Sequence, residues 1–116
     1  GTGKPLMTLQ DEQTPIDREI VTALVELLPE AWDRPVLEVE YALDDRGERF
    51  GHTIFNPDGQ RDLVDPSDVI YDATFRLQQL FRQHNGVWTK VRYEIAIDDR
   101  GVSYKVRFDA TPLKQR

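Results

Sequence analysis

Glu40-Tyr41-Ala42-Leu43-Asp44-Asp45-Arg46-Gly47 returns 54 residues later as Glu94-Ile95-Ala96-Ile97-Asp98-Asp99-Arg100-Gly101. Six of the eight positions are identical, and the other two are apolar in both copies. Each copy closes a run that alternates apolar and polar side chains, then supplies Asp for a turn and Gly for a position at positive φ. Both therefore read as a strand entering a tight turn, with a second strand behind it.

Working outward, Leu37, Val39, Tyr41 and Leu43 share one face of the first strand, and Glu38 and Glu40 point from the other. A partner strand runs from about Glu48 to Phe55. In the second hairpin Val91, Tyr93, Ile95 and Ile97 face inward, opposite Val102, Tyr104, Val106 and Phe108. Lys90, Arg92, Glu94, Ser103, Lys105 and Arg107 face out. Each hairpin follows a helical pattern. The first has Ile16, Ile20, Leu24 and Leu27 at spacings of three and four. Thr14 is suited to its N-cap, Pro15 to its first position and Asp17 to the positive end of its dipole; Pro29 ends it. Asp65-Pro66-Ser67-Asp68 opens the second by the same logic. Ile70, Ala73, Leu77, Leu80 and Phe81 form its stripe, Val69 and Phe75 lie at the margins, and Asn85-Gly86 closes it as a left-handed cap. Trp32 and Trp88 precede the first strand of each hairpin. Asn56-Pro57-Asp58-Gly59 is a type I turn signal, and a fifth strand over 60–64 stays open.

The expected fold is α+β in the order α-β-β-α-β-β: four or five antiparallel strands with both helices on the apolar face. Residues 1–6 carry no helix or strand signal and read as a remnant or disordered tail. Residues 7–116 make a single domain, long enough to bury roughly two-thirds of its unfolded surface.

The absence of cysteine removes disulfides, thiolate metal sites and thiol nucleophiles, and it fits a reducing, cytoplasmic setting. No apolar run approaches the ~20 residues of a membrane span, and no secretory leader pattern is present. Net charge is −6, unevenly spread. Residues 1–72 hold 17 acidic and 6 basic side chains, and residues 73–116 hold 4 and 9. An acidic surface favours basic partners and repels nucleic acid.

The chemistry-bearing residues have plain structural roles available. Asp44, Asp45, Asp98 and Asp99 suit a hard-metal site only if both hairpin tips converge; turn chemistry demands less. His52 and His84 have no nucleophile motif beside them. The basic face carrying Lys90, Arg92, Lys105 and Arg107 suggests nucleic acid, but Glu94, Glu38 and Glu40 favour cross-strand ion pairs, and no exposed stacking pair is evident. The acidic loop with Asp58, Asp62, Asp65 and Asp68 offers a docking site on a rigid scaffold. No cofactor or metal is expected, and catalysis is not.

Leu27-Leu28-Pro29-Glu30-Ala31-Trp32-Asp33, Leu37-Glu38-Val39-Glu40-Tyr41, Leu77-Gln78-Gln79-Leu80-Phe81, Val87-Trp88-Thr89-Lys90-Val91 and Tyr104-Lys105-Val106-Arg107-Phe108 carry a resemblance to the YezG-like bacterial immunity proteins. It covers most of residues 16–109. The resemblance implies a stoichiometric inhibitor without an active site, whose partner is a toxin C-terminal domain, often a nuclease with a basic surface. The expected contact residues are Glu38, Glu40, Asp58, Asp62 and Asp65, on a chain that is a monomer or weak dimer when free. A nucleic-acid-binding module and a small metal-dependent enzyme are the alternatives.

Overall fold

The elements follow in the order α1 (Leu9–Leu27), β1 (Val36–Asp44), β2 (Gly47–Phe55), α2 (Asp68–Gln83), β3 (Gly86–Asp98) and β4 (Gly101–Pro112). The structure, a computed structural model, describes residues 8–29, 31–57 and 64–112. Within them the strands form one antiparallel sheet of order β2-β1-β3-β4. Both helices lie on one face, so the fold is the expected α+β arrangement. Residues 60–63 of the fifth-strand candidate lie outside the described residues, and Val64 belongs to no strand.

The hairpins meet through their first strands, where Glu38 faces Arg92. These two residues are 54 apart, the spacing of the repeat. The halves are thus related by a pseudo-two-fold axis through this pair. The axis also sends the two hairpin tips to opposite ends of the sheet. Carried on at about 3.3 Å per residue, the register sets Asp44 and Asp98 roughly 40 Å apart.

The tips share one geometry. Asp44 Oδ1 accepts from Arg46 N and Asp98 Oδ1 from Arg100 N, each at 2.8 Å. Gly47 (φ 114°) and Gly101 (φ 124°) adopt the left-handed conformation. The two residues at each tip do not. The turns are therefore not of the mirror-image class; the glycine after each turn absorbs the left-handed backbone, as it does beside a bulge.

The helix boundaries differ from expectation. α1 begins a turn and a half early: Thr8 is its N-cap and forms a reciprocal capping box with Asp11, at 3.1 and 3.3 Å. This box satisfies the first free N–H groups, so Pro15 need not start the helix. It sits exposed in the helix interior, and the Thr14 hydroxyl donates to the Gln10 carbonyl instead of capping. The early start carries Leu9 onto the core. Leu28 is extended ahead of Pro29. α2 begins after Ser67, so Asp65 is not its cap, and Asn85 (φ 61°), not Gly86, takes the left-handed position. Trp88 lies inside β3 instead of before it.

The core fills the space between the helices and β1, β2 and β3, with Ile20, Leu24, Leu37, Ile54, Ile70, Leu77, Val91, Trp88 and Tyr93 essentially sealed. Each such aliphatic side chain contributes about 1.5–3 kcal/mol. Trp88 stands at a bulge, where the β3–β4 register shifts between Trp88 and Lys90. Buried Gln78 of α2 fits this defect: its Nε2 donates to the Trp88 carbonyl at 2.8 Å, and its Oε1 accepts from Trp88 N at 3.2 Å. A side-chain amide thus serves both backbone groups of one strand residue.

The inner face of β4 is less covered than the sequence pattern implies. Tyr104, Val106 and Phe108 are half-buried and Val102 is 47% exposed. β4 is an edge strand, and the helical layer stops short of it.

Candidate partner-binding surfaces

Glu38 and Glu40 lie on the open face of the sheet, as expected, but in different states. Glu38 is enclosed by cations of the neighbouring strand, with Arg92 Nη1 at 2.5 Å and Lys90 Nζ at 3.4 Å. Arg92 also holds Glu94 at 2.9 Å and lies over the Phe55 ring, 5.7 Å from its centroid. The charge of Glu38 is therefore answered within the chain. Glu40 is exposed and faces Gly51 across the strand pair. Around them stand Arg49, Lys90, Arg92, Lys105 and Arg107 against Glu38, Glu40, Glu94 and Asp109. This face is nearly balanced in charge. Its tyrosines do not form a stacking platform there: Tyr93 is sealed on the other face, and Tyr104 is half-buried on that face too. The cross-strand ion pairs expected from sequence are present.

The acidic excess resides on the helical layer. Residues 8–28 and 64–84 carry Asp11, Glu12, Asp17, Glu19, Glu26, Asp65, Asp68 and Asp72 against Arg18, Arg76 and Arg82. Some of these charges are used internally. Arg76 ties the helices together through Glu19 at 2.7 Å and Asp72 at 2.8 Å, and His84 Nε2 meets Glu12 at 2.8 Å. Arg82 reaches Glu48 at 3.3 Å, beside the Tyr41 hydroxyl, which donates to Glu48. Glu26, Asp65 and Asp68 are exposed and form no ion pair among the described residues. They gather where the C-terminal half of α1 passes the start of α2. An open groove of about 520 Å³ runs along α1 there, with Arg18, Glu19 and Glu26 as the charged residues of its lining and Ala23, Leu27 and Val69 among the apolar ones. Of the expected contact residues, Asp65 thus belongs to the helical side and Glu38 and Glu40 to the sheet side. Asp58 and Asp62 lie outside the described residues.

Two buried titratable groups were not singled out as site residues from sequence. Asp17, 2% exposed, accepts from Tyr93 Oη at 2.5 Å and from Gln13 Nε2 at 2.9 Å. Burial pushes its carboxyl up despite these two bonds. The same burial, with Asp17 beside it, holds the Tyr93 phenol far above its usual range. The sequence signal was the position of Gln13 and Asp17 on the Ile20–Leu24 stripe, where polar side chains must find partners. A cleft of about 500 Å³ opens beside Asp17, between α1 and the uncovered face of β4, with Leu9, Phe81, Tyr104, Val106 and Phe108 in its walls. His52 packs edge-on against Tyr71, with ring centroids 4.7 Å apart, and its Nε2 lies 2.8 Å from Thr74 Oγ1. The same hydroxyl donates to the Tyr71 carbonyl at 3.1 Å. Burial lowers the His52 pKa.

The paired aspartates work as turn residues at opposite ends of the sheet, so they build no joint metal site. Among the described residues no three His, Asp or Glu side chains are grouped to hold a metal ion. No helix there is long and apolar enough to cross a membrane. In comparisons with known proteins, no family model matches this chain and no curated protein does.

Proposed function

We propose that this protein neutralises a bacterial toxin domain by direct, stoichiometric binding, in the manner of the YezG-like immunity proteins it resembles. The observation that carries the reading is the segregation of charge. The helical layer holds more acidic than basic side chains, and its exposed Glu26, Asp65 and Asp68 form no ion pair among the described residues, while the sheet face balances its own charges. Such a surface speeds encounter with a basic partner and disfavours an acidic one. A nuclease domain, whose substrate is a polyanion, presents the complementary basic surface. The contact surface is the helical side, with Glu26, Asp65 and Asp68 at its centre; Asp58 and Asp62, which precede α2 in sequence, are the further contact residues of this reading. Inhibition needs no chemistry from this chain.

The test is co-purification with the toxin domain encoded beside this gene, paired with survival of cells that express that toxin. A one-to-one complex and rescue of growth are expected. Absence of a complex at micromolar concentration, together with unrelieved toxicity, would refute the reading.

A further inference from the structure

We propose that the cleft between α1 and β4 is a receptor for one basic side chain, arginine or lysine, of a protein partner, with Asp17 as its counter-ion. That the partner is a toxin rests on the reading above; the recognition chemistry does not. Asp17 is 2% exposed, and its two bonds come from neutral donors, the Tyr93 hydroxyl and the Gln13 amide. No cation of the described chain pairs with it. Each carboxylate oxygen accepts one bond and keeps capacity for another. A buried carboxylate without a cation is costly, and an incoming guanidinium or ammonium offsets that cost.

The cleft walls suit such a guest. Leu9 and Val106 can line the aliphatic stem of an arginine or lysine. Phe81 and Phe108, with ring centroids 4.7 Å apart, and Tyr104 offer aromatic surface to the cationic head. The volume of about 500 Å³ exceeds what one side chain needs. Arg18, the one basic residue of α1, is exposed and forms no ion pair with Asp17, so it does not fill the role. The half-buried inner face of an edge strand thereby gains a use.

The probe is N-acetyl-arginine amide, with N-acetyl-citrulline amide as its neutral isostere, titrated into the whole chain and followed by amide chemical shifts. Saturable shifts confined to residues 9–17, Phe81 and 104–108 are expected with the arginine probe only. Asp17→Asn, which keeps the side-chain shape, should weaken the affinity at least tenfold without lowering the melting temperature. Should that variant fail to fold, Phe108→Ala removes an aromatic wall on an exposed edge and should weaken the affinity severalfold. Equal response to citrulline, no saturable shift, or affinity unchanged in either variant would overturn the proposal. None of these outcomes involves the toxin, so the receptor can fail while toxin binding stands, and the reverse.

Discussion

Gln78 is a polar side chain that the core requires. It bonds both the N–H and the carbonyl of Trp88, next to the register shift in β3. Gln78→Leu leaves two buried backbone groups unmet at about 1–3 kcal/mol each. We expect a loss of roughly 2–4 kcal/mol, read as a lower urea midpoint. His52 and Asp17 act through pH in opposite senses. The folded-state pKa of His52 lies below the ordinary 6.5, so the unfolded chain binds more protons as pH falls. Its contribution is complete above 6.5 and is lost as pH drops toward the folded value. Unfolding titrations from pH 7.5 to 4.5 should show this loss, and His52→Gln should flatten it. The folded-state pKa of Asp17 lies above 3.8, so its contribution is full below 3.8 and declines as pH rises through the folded value. Asp17→Asn should therefore gain on the wild type with rising pH. The sequence places Asp17 at the positive end of the α1 dipole, whereas it lies inside the helix, and it gives Gln78 no structural role; their partners, Tyr93 and Trp88, come from another element.

Among the elements, the two turns were the most legible and α1 the least. Asp-Asp-Arg-Gly carries its own geometry: the aspartate accepts from the backbone two residues on, and glycine takes the positive φ. Nothing stands near the position a Cβ would occupy at Gly47 or Gly101. Gly47→Ala and Gly101→Ala should each cost about 1–2 kcal/mol from backbone strain alone, by closely similar amounts in thermal unfolding. The start of α1 was misplaced because two caps competed. Thr14-Pro15 fits the statistics of a helix start, whereas Thr8 with Asp11 gives two reciprocal bonds and brings Leu9 to the core. Burial decided between them. The sheet order has a dynamic consequence. Amide exchange should be slowest in β1 and β3, which have neighbours on both sides, and faster along β2 and β4.

For the whole molecule, the distribution of charge over the two faces matters more than the net charge. Exchanging Glu26, Asp65 and Asp68 together for their amides should slow association with a basic toxin domain about tenfold or more at low salt. The difference should fade as salt is raised, as followed by stopped-flow fluorescence. Glu38→Gln should behave otherwise. It strips Arg92 and Lys90 of their shared partner and should lower stability modestly, with little change in the association rate.

The repeat, the alternation of the strands and the two helical stripes determined the class of fold, the strand faces and the turns. These are local properties: a two-residue period, a 3.6-residue period and the conformational freedom of glycine act within a few residues. Only the tertiary structure decided the rest. Pairing β1 with β3 set Glu38 against Arg92 and so placed this glutamate in an ion pair. The same pairing drove the two Asp-Asp turns apart. Packing of α1 buried Asp17 and left the inner face of β4 partly open, which created the cleft. Each of these depends on which distant residues meet, and a single strand or helix does not specify that.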